Sequence, residues 1–123
     1  LNRLAKMLNS DDRLERGLGV RITGTIRINA NREAGKYMQQ KDYKRAAIYY
    51  EILTAINDRD ANSFYNLACV FSLEGKKNRA LKALEKAIGN GFRNRRYIEQ
   101  DKDLSSLRNE EKYKALLSRI EAK

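Results

Sequence analysis

The side chains that could carry out chemistry in this chain are few and poorly matched to a catalytic site. The sequence has one cysteine and no histidine, so the commonest general base is missing and a zinc site built from several such ligands is excluded. Two pairs of carboxylates stand close together in sequence, Asp101 with Asp103 and Glu110 with Glu111. We expect both pairs to begin loops or cap helices, where a carboxylate meets the positive end of the helix dipole.

Cys69 is the remaining candidate for reactivity. It lies in an apolar segment between Ala68 and Val70, which favours a buried, inert thiol over a nucleophile. The sequence also contains no glycine-rich phosphate loop after a strand and no nucleophile elbow. We therefore expect no enzymatic activity, no metal site and no cofactor, and we interpret the chain as a binding protein.

An internal repeat predicts the elements that would position a binding site. Residues 63–87 contain two amphipathic stripes, separated at Gly75, which predict two short helices folded against each other. Shifting the chain by 34 residues aligns small residues with small ones and most large residues with large ones. The aligned pairs are Ala34 and Ala68, Tyr37 and Phe71, Lys41 and Gly75, Ala46 and Ala80, and Tyr50 and Leu84.

A helix-turn-helix period of this length resembles the tetratricopeptide repeat (TPR) family. The resemblance implies an all-α fold in which helical hairpins stack into a right-handed superhelix. The second unit matches the family pattern with Phe64, Leu67, Ala68, Phe71, Gly75, Ala80, Leu84 and Ala87. The first unit departs from it, since Glu33 stands where the family has a leucine and Leu53 where it has an alanine. Both units lack the terminal proline, because Asp58 and Phe92 stand there instead.

We divide the chain into an N-terminal region, residues 1–29, and a TPR-like domain, residues 30–123. Within the domain, unit one covers residues 30–60, unit two residues 61–92, and a C-terminal cap residues 93–123. The cap is similar to the tail that closes many bacterial TPR arrays, and its apolar residues would cover the last hairpin. These residues are Ile98, Leu104, Leu107, Tyr113, Leu116, Leu117 and Ile120.

The N-terminal region does not fit the repeat. Residues 1–8 predict a short amphipathic helix, followed by a turn at residues 9–12. Over residues 17–29, β-branched residues alternate with arginine and threonine, and each of three glycines would cost a helix about 1 kcal/mol, so we expect an extended arm. We expect this irregular arm to offer a route to self-association. The alternative is a helical stripe through Leu18, Ile22, Ile26 and Ala30.

The resemblance also implies where a ligand would bind, because the first helices of successive TPR units line a concave groove. The corresponding groove positions of this chain are Asn31, Gly35, Met38, Asn62, Tyr65, Asn66, Cys69 and Ser72. Amide side chains can pair with a peptide backbone, and a tyrosine ring supplies flat contact area. One family subtype clamps a peptide carboxylate, but only Asn66, with Arg96 as a basic partner, fits that pattern, so we do not expect it here. The resemblance therefore predicts a protein- or peptide-binding adaptor or assembly module.

The charge of the chain predicts the kind of partner. Its net charge is +10, which favours an acidic protein or peptide. We expect a basic surface made of Lys76, Lys77, Arg79, Lys82, Lys86, Arg93, Arg95 and Arg96. Binding of nucleic acid through this surface is an alternative that we disfavour, because acidic residues such as Glu74 and Glu85 interrupt it.

The sequence leaves the cellular context open. No apolar run approaches the ~18–20 residues that would span a membrane, so we expect a soluble domain, either cytoplasmic or, if a leader has been removed, periplasmic. Because the chain begins at Leu1 and not at methionine, we expect a processed chain or an excised piece of a longer one. A further alternative is therefore an accessory domain of a larger enzyme or of a secreted or envelope complex.

Overall fold

The computed structural model describes the backbone of residues 13–120 and the side chains from residue 22 to residue 120. Within these residues the fold is all-helical and contains no strand. The elements are α1 (Arg13–Gln39), α2 (Tyr43–Ile56), α3 (Ala61–Leu73), α4 (Lys77–Gly89), α5 (Arg95–Gln100), a 3₁₀ helix (Lys102–Leu107) and α6 (Glu111–Ser118). In this part of the chain, none of the helices combines the length and apolar character needed to cross a membrane.

The core is built from two helical hairpins. Helices α1 and α2 form the first, α3 and α4 form the second, and α2 packs against α3. Each hairpin turn contains one residue with positive φ, Lys41 at 58° and Gly75 at 79°. These two residues are 34 positions apart, so the repeat found in the sequence is also a repeat of backbone conformation.

Burial follows the same interval. Ala34 and Ala68 are both 0% exposed, as are Ala46 and Ala80. An alanine at such a position lets two helices approach closely, because its methyl group fills the contact without separating the helix axes. The two hairpins therefore place their closest helix contacts at equivalent positions.

A contact between a cation and an aromatic ring recurs in the same way. The guanidinium carbon of Arg45 lies 5.6 Å from the ring centroid of Tyr37, and that of Arg79 lies 6.0 Å from the ring centroid of Phe71. Both distances fall within the range of cation–π attraction. In each hairpin the second helix thus covers an aromatic side chain of the first with an arginine at the same repeat position.

Aspartate side chains cap α2 and α3. The carboxylate of Asp42 accepts a hydrogen bond from the backbone N–H of Arg45 at 3.2 Å, and that of Asp60 accepts one from the N–H of Ser63 at 3.1 Å. Each bond satisfies a backbone donor that the first helical turn leaves without a partner.

The C-terminal cap consists of α5, the 3₁₀ helix and α6. Its seven apolar residues expected to cover the last hairpin are all buried: Ile98, Leu104, Leu107, Tyr113, Leu116, Leu117 and Ile120. Among the charged residues between them, Lys112, Lys114 and Arg119 are exposed. This part of the sequence analysis is confirmed, and the cap belongs to the same hydrophobic core as the hairpins.

The predicted extended arm at residues 17–29 is wrong, because α1 is a continuous helix from Arg13 to Gln39. Starting a helix is costly whereas extending one is not, so the helix of the first hairpin can continue across glycines that would oppose a new helix. Of the alternative helical stripe, Ala30 is buried and Ile26 half-buried, whereas Ile22 is exposed and the side chain of Leu18 lies outside the described residues. The helix predicted at residues 1–8 and the turn at 9–12 lie outside the described residues.

Helix α1 is much longer than its partner. It contains 27 residues whereas α2 contains 14, which corresponds to about 40 Å against about 21 Å. The N-terminal half of α1 therefore extends past the end of α2. Three of the exposed large apolar side chains belong to this first hairpin: Ile22, Ile28 and Ile48.

Candidate functional site

The face of α3 that carries three predicted groove residues is covered by the chain's own C-terminal segment. The hydroxyl of Tyr65 donates a hydrogen bond to the carboxylate of Asp101 at 2.6 Å. About two turns further along α3, the hydroxyls of Ser72 and Ser106 lie 2.8 Å apart. These contacts attach the start of the 3₁₀ helix and a residue near its end to α3, at two points of the same helical face.

Asp101 has a second role that fixes its carboxylate. It is the N-cap of the 3₁₀ helix, and its Oδ1 atom accepts a hydrogen bond from the backbone N–H of Asp103 at 3.0 Å. Its Oδ2 atom, which receives the hydroxyl of Tyr65, also lies 3.7 Å from Sγ of Cys69. Both carboxylate oxygens are thus occupied by partners within the chain.

The protonation states agree with this network. Burial raises the pKa of the Cys69 thiol well above its ordinary value, and the nearby carboxylates of Asp101 and Asp103 raise it further. Burial also raises the pKa of Tyr65, and its hydrogen bond to Asp101 adds to that effect. At neutral pH both groups keep their protons and donate hydrogen bonds, so neither supplies a nucleophile or a base.

Cys69, Asp101 and Asp103 also bring three candidate metal-ligand atoms within 4.8 Å of one another. A metal ion would require the thiolate form of cysteine, which the burial and the carboxylates disfavour. The hydrogen bonds of Asp101 account for the closeness of these groups without an ion. We therefore interpret the cluster as a polar contact between α3 and the cap.

The eight predicted groove residues separate into two groups. Tyr65, Cys69 and Ser72 are buried beneath the 3₁₀ helix, so the structure does not place them at an open surface. The other five reach solvent: Asn31, Gly35, Asn62 and Asn66 are exposed and Met38 is half-buried. The candidate surface is therefore the exposed part of α1 and α3, defined by these five residues, and their contact with a ligand stays a prediction.

An aromatic cluster adjoins this surface. The rings of Tyr65 and Phe92 are stacked, with centroids 4.0 Å apart and planes inclined by 7°. The ring of Tyr97 is inclined to both, at 5.7 Å from Tyr65 and 6.0 Å from Phe92. Tyr97 is 55% exposed, so one ring of the cluster remains open to solvent.

Most of the predicted basic residues on α4 have partners within the chain. Lys76 pairs with Glu74 and Lys77 with Glu110, each at 3.5 Å. Lys86 lies 5.5 Å from the ring centroid of Phe64, as Arg79 lies over Phe71. Such exposed ion pairs are weak, typically below about 1 kcal/mol, but they lower the net positive charge that this face presents.

The basic residues near α5 divide in a similar way. Arg95 pairs with Glu99 at 3.1 Å, and Arg93 donates a hydrogen bond to the backbone carbonyl of Arg119 at 3.4 Å. Arg96 is exposed and forms no ion pair within the described part of the chain. This segment therefore retains free positive charge next to the aromatic cluster.

A shallow depression of about 600 Å³ lies at the start of α4, lined by Gly75, Lys76, Lys77, Asn78, Arg79 and Glu110. The backbone N–H groups of the first helical turn have no side-chain cap there. The ion pair between Lys77 and Glu110 spans this depression and joins α4 to the start of α6. We attribute to it the structural role of joining the last hairpin to the cap.

Comparison with family models, with curated proteins and with solved structures finds no match for this chain. The function proposed for the candidate surface is therefore argued from the residues of that surface.

Sequence reasoning missed two features of this region. The contact between Tyr65 and Asp101 joins residues 36 positions apart, and no local sequence pattern indicates it. The aromatic cluster was also missed, although Phe92 stands where the family has a proline and Tyr97 lies one turn later. The presence of two aromatic residues in a segment otherwise rich in arginine was the available signal.

Proposed function

We propose that this chain is a TPR-like protein-binding module, acting as an adaptor or assembly unit, whose ligand lies against the exposed part of α1 and α3. The main support is the repeat of backbone conformation, burial and cation–π contact at an interval of 34 residues. In stacked repeats each unit contacts its neighbours, and equivalent helices form an extended surface. Such a surface suits an extended peptide or a segment of another protein.

The chemistry of the exposed residues supports the same proposal. Asn31, Asn62 and Asn66 each offer an amide that can both donate to and accept from a peptide backbone. Gly35, one turn after Asn31 on α1, leaves an open position, since nothing lies within 4 Å of where its Cβ would be. A surface of this kind binds main chain without covalent chemistry, whereas the buried thiol and carboxylates are already engaged with one another.

Binding of nucleic acid receives less support. A nucleic-acid surface combines unpaired cations with exposed aromatic rings along a groove. On α4, Lys76 and Lys77 are paired with carboxylates, while the aromatic rings beneath Arg79 and Lys86 belong to buried residues. We therefore propose an acidic protein or peptide as the partner, in agreement with the net charge of +10.

The proposal is tested by using the chain as bait, identifying retained proteins by mass spectrometry and then measuring affinity with the purified partner. The double variant Asn62→Ala and Asn66→Ala should bind at least about tenfold more weakly, because loss of two hydrogen bonds is worth about 1.4 kcal/mol or more. The matched control is Lys82→Ala on α4, which should bind as well as the unmodified chain. Equal loss in both variants, or retention only of nucleic acid with a steep salt dependence, would contradict the proposal.

A further inference from the structure

Tyr97 is exposed even though it belongs to an ordered aromatic cluster. Its ring contacts Tyr65 and Phe92, which are themselves stacked face to face. Tyr65 is held from the other side by its hydrogen bond to Asp101, so the cluster is attached to the 3₁₀ helix. A ring fixed in this way loses little conformational entropy when a ligand packs against it.

Two exposed arginines lie close to this ring in the sequence. Arg93 and Arg96 are exposed and flank the cluster in sequence, and neither forms an ion pair within the described part of the chain. Arg95, between them, is neutralised by Glu99 at 3.1 Å. Arg96 is therefore available to a carboxylate from outside, and Arg93, which donates one hydrogen bond to the backbone carbonyl of Arg119, keeps further N–H donors for the same purpose.

The exposed amides of α3 continue the surface. Asn66 follows Tyr65 directly in the chain, and Asn62 lies one helical turn before it, so both flank the ring on which the cluster is built. Tyrosine and arginine are the residues that most often dominate binding energy at protein interfaces, while asparagine pairs with main chain. Tyrosine, arginine and asparagine are thus all exposed in this region, and each can make a different kind of contact with a ligand.

We infer that Tyr97, Arg93 and Arg96 form an anchor for an acidic peptide: a large apolar or aromatic side chain of the peptide packs on the Tyr97 ring, and adjacent carboxylates pair with the two arginines. The inference rests on the proposed function and specifies the chemistry of its ligand. Charge complementarity selects this occupant, because Arg96 forms no ion pair within the described residues, Arg93 is hydrogen-bonded to a neutral backbone carbonyl and not to a carboxylate, and the net charge of the chain is +10. The remaining peptide runs toward Asn62 and Asn66.

The test uses a random peptide library displayed on phage, selected against the full chain, followed by affinity measurements with synthetic peptides of the enriched sequence. We expect enriched peptides to place aspartate or glutamate next to an aromatic or large aliphatic residue. Tyr97→Ala should weaken their binding at least tenfold, and Arg96→Glu more strongly. Arg79→Glu, which changes an equally exposed arginine at the start of α4, is the matched control and should weaken binding less than threefold.

The outcomes separate this inference from the proposed function. Peptides whose binding depends on Asn62 and Asn66 but is unchanged by Tyr97→Ala and Arg96→Glu would overturn the anchor and leave the proposed function standing. Enriched peptides without acidic residues would overturn it as well. Failure to enrich any peptide would overturn both. Circular dichroism of each variant establishes that it folds, which is expected because Tyr97 and Arg96 are exposed.

Discussion

Lys41 and Gly75 occupy equivalent turns of successive hairpins and share a left-handed backbone conformation, with φ of 58° and 79°. A glycine takes this conformation freely, whereas a side chain with a Cβ is strained by roughly 1–2 kcal/mol. The repeat therefore requires the same left-handed backbone conformation of a lysine and of a glycine. Only the second turn meets this requirement without strain.

Replacing these residues should change stability in opposite directions. Lys41→Gly should raise the free energy of unfolding by about 1 kcal/mol, and Gly75→Ala should lower it by about the same amount. Urea denaturation followed by circular dichroism measures both. The control is Lys82→Gly, in the interior of α4, which should destabilise because glycine is a poor helix former. If Lys41→Gly were as destabilising as Lys82→Gly, the left-handed turn would not exist in solution.

Gly35 is a second position where a glycine can be replaced with a predictable result. It is exposed in the interior of α1, and nothing lies within 4 Å of the place its Cβ would take. Gly35→Ala should therefore stabilise the protein by roughly 0.4–1 kcal/mol, through reduced freedom of the unfolded chain. Comparison with Gly75→Ala in the same denaturation series should show opposite signs. A loss of stability in Gly35→Ala would mean that α1 is not helical at this position.

The two equivalent alanines test the repeat through packing. Ala34→Leu and Ala68→Leu each insert a larger side chain at a fully buried helix contact, and we expect each to lower the free energy of unfolding by about 1–3 kcal/mol. Ala55→Leu, on the exposed side of α2, should change it by less than about 0.5 kcal/mol. Thermal unfolding compares the three variants. If only one of the buried sites proved sensitive, the hairpins would not be packed alike.

Asp103 should make stability depend on pH. Burial, followed by the charge of Asp101, raises the pKa of Asp103 above its ordinary 3.8. A carboxyl whose folded-state pKa is raised contributes stability below the unfolded value and loses it as pH rises through the folded value. Asp103→Asn should therefore gain stability relative to the unmodified protein as the pH rises from about 3 to 7, and the gain should be small because the group is partly solvated.

The measurement is the difference in unfolding free energy between this variant and the unmodified protein across that pH range. Changes in the other carboxyl groups largely cancel in the difference. Asp58→Asn, on the exposed loop before α3, is the control and should show no such trend. A difference that stays flat, or that favours the unmodified protein at neutral pH, would contradict the like-charge contact between Asp101 and Asp103.

The thiol of Cys69 should be inert in the folded protein. It is 4% exposed and its pKa is raised, so both access and the thiolate fraction are reduced. Reaction with a chromogenic disulfide reagent should proceed only at the rate of unfolding, and rapidly in urea. Cys69→Ser with Ser105→Cys moves the thiol to the exposed side of the 3₁₀ helix and should react at once. Fast labelling of the unmodified protein would show that the cap leaves α3.

The second hairpin and the cap were largely predictable from sequence. Small and large residues at helical spacing and a glycine at the turn each specify local structure, and they lie where expected. The buried residues of the cap could be identified because apolar side chains recur between charged ones. In these segments local preference and tertiary packing agree, so the pattern alone is sufficient.

Other features depend on relations that a local pattern does not contain. The segment from residue 17 to 29 fits both a strand period and a helical stripe, and its glycines favoured the wrong choice. These residues are helical because they continue the helix that packs on α2. The burial of Tyr65 was not predictable either, because Asp101 reaches it from 36 residues away. Sequence spacing placed Tyr65 on one face of α3 together with Cys69 and Ser72 but did not show that the chain itself covers that face.

The position of the cap determines where a further helical hairpin could be added to the stack. A duplicate of the second hairpin, inserted between α2 and α3, would meet on each side a helix surface that already accepts such a neighbour. The same duplicate added after α6 would meet the charged side chains of Lys112, Lys114 and Arg119 instead. Gene duplication would thus find a matching helix surface in the middle of the described residues and a charged one beside α6.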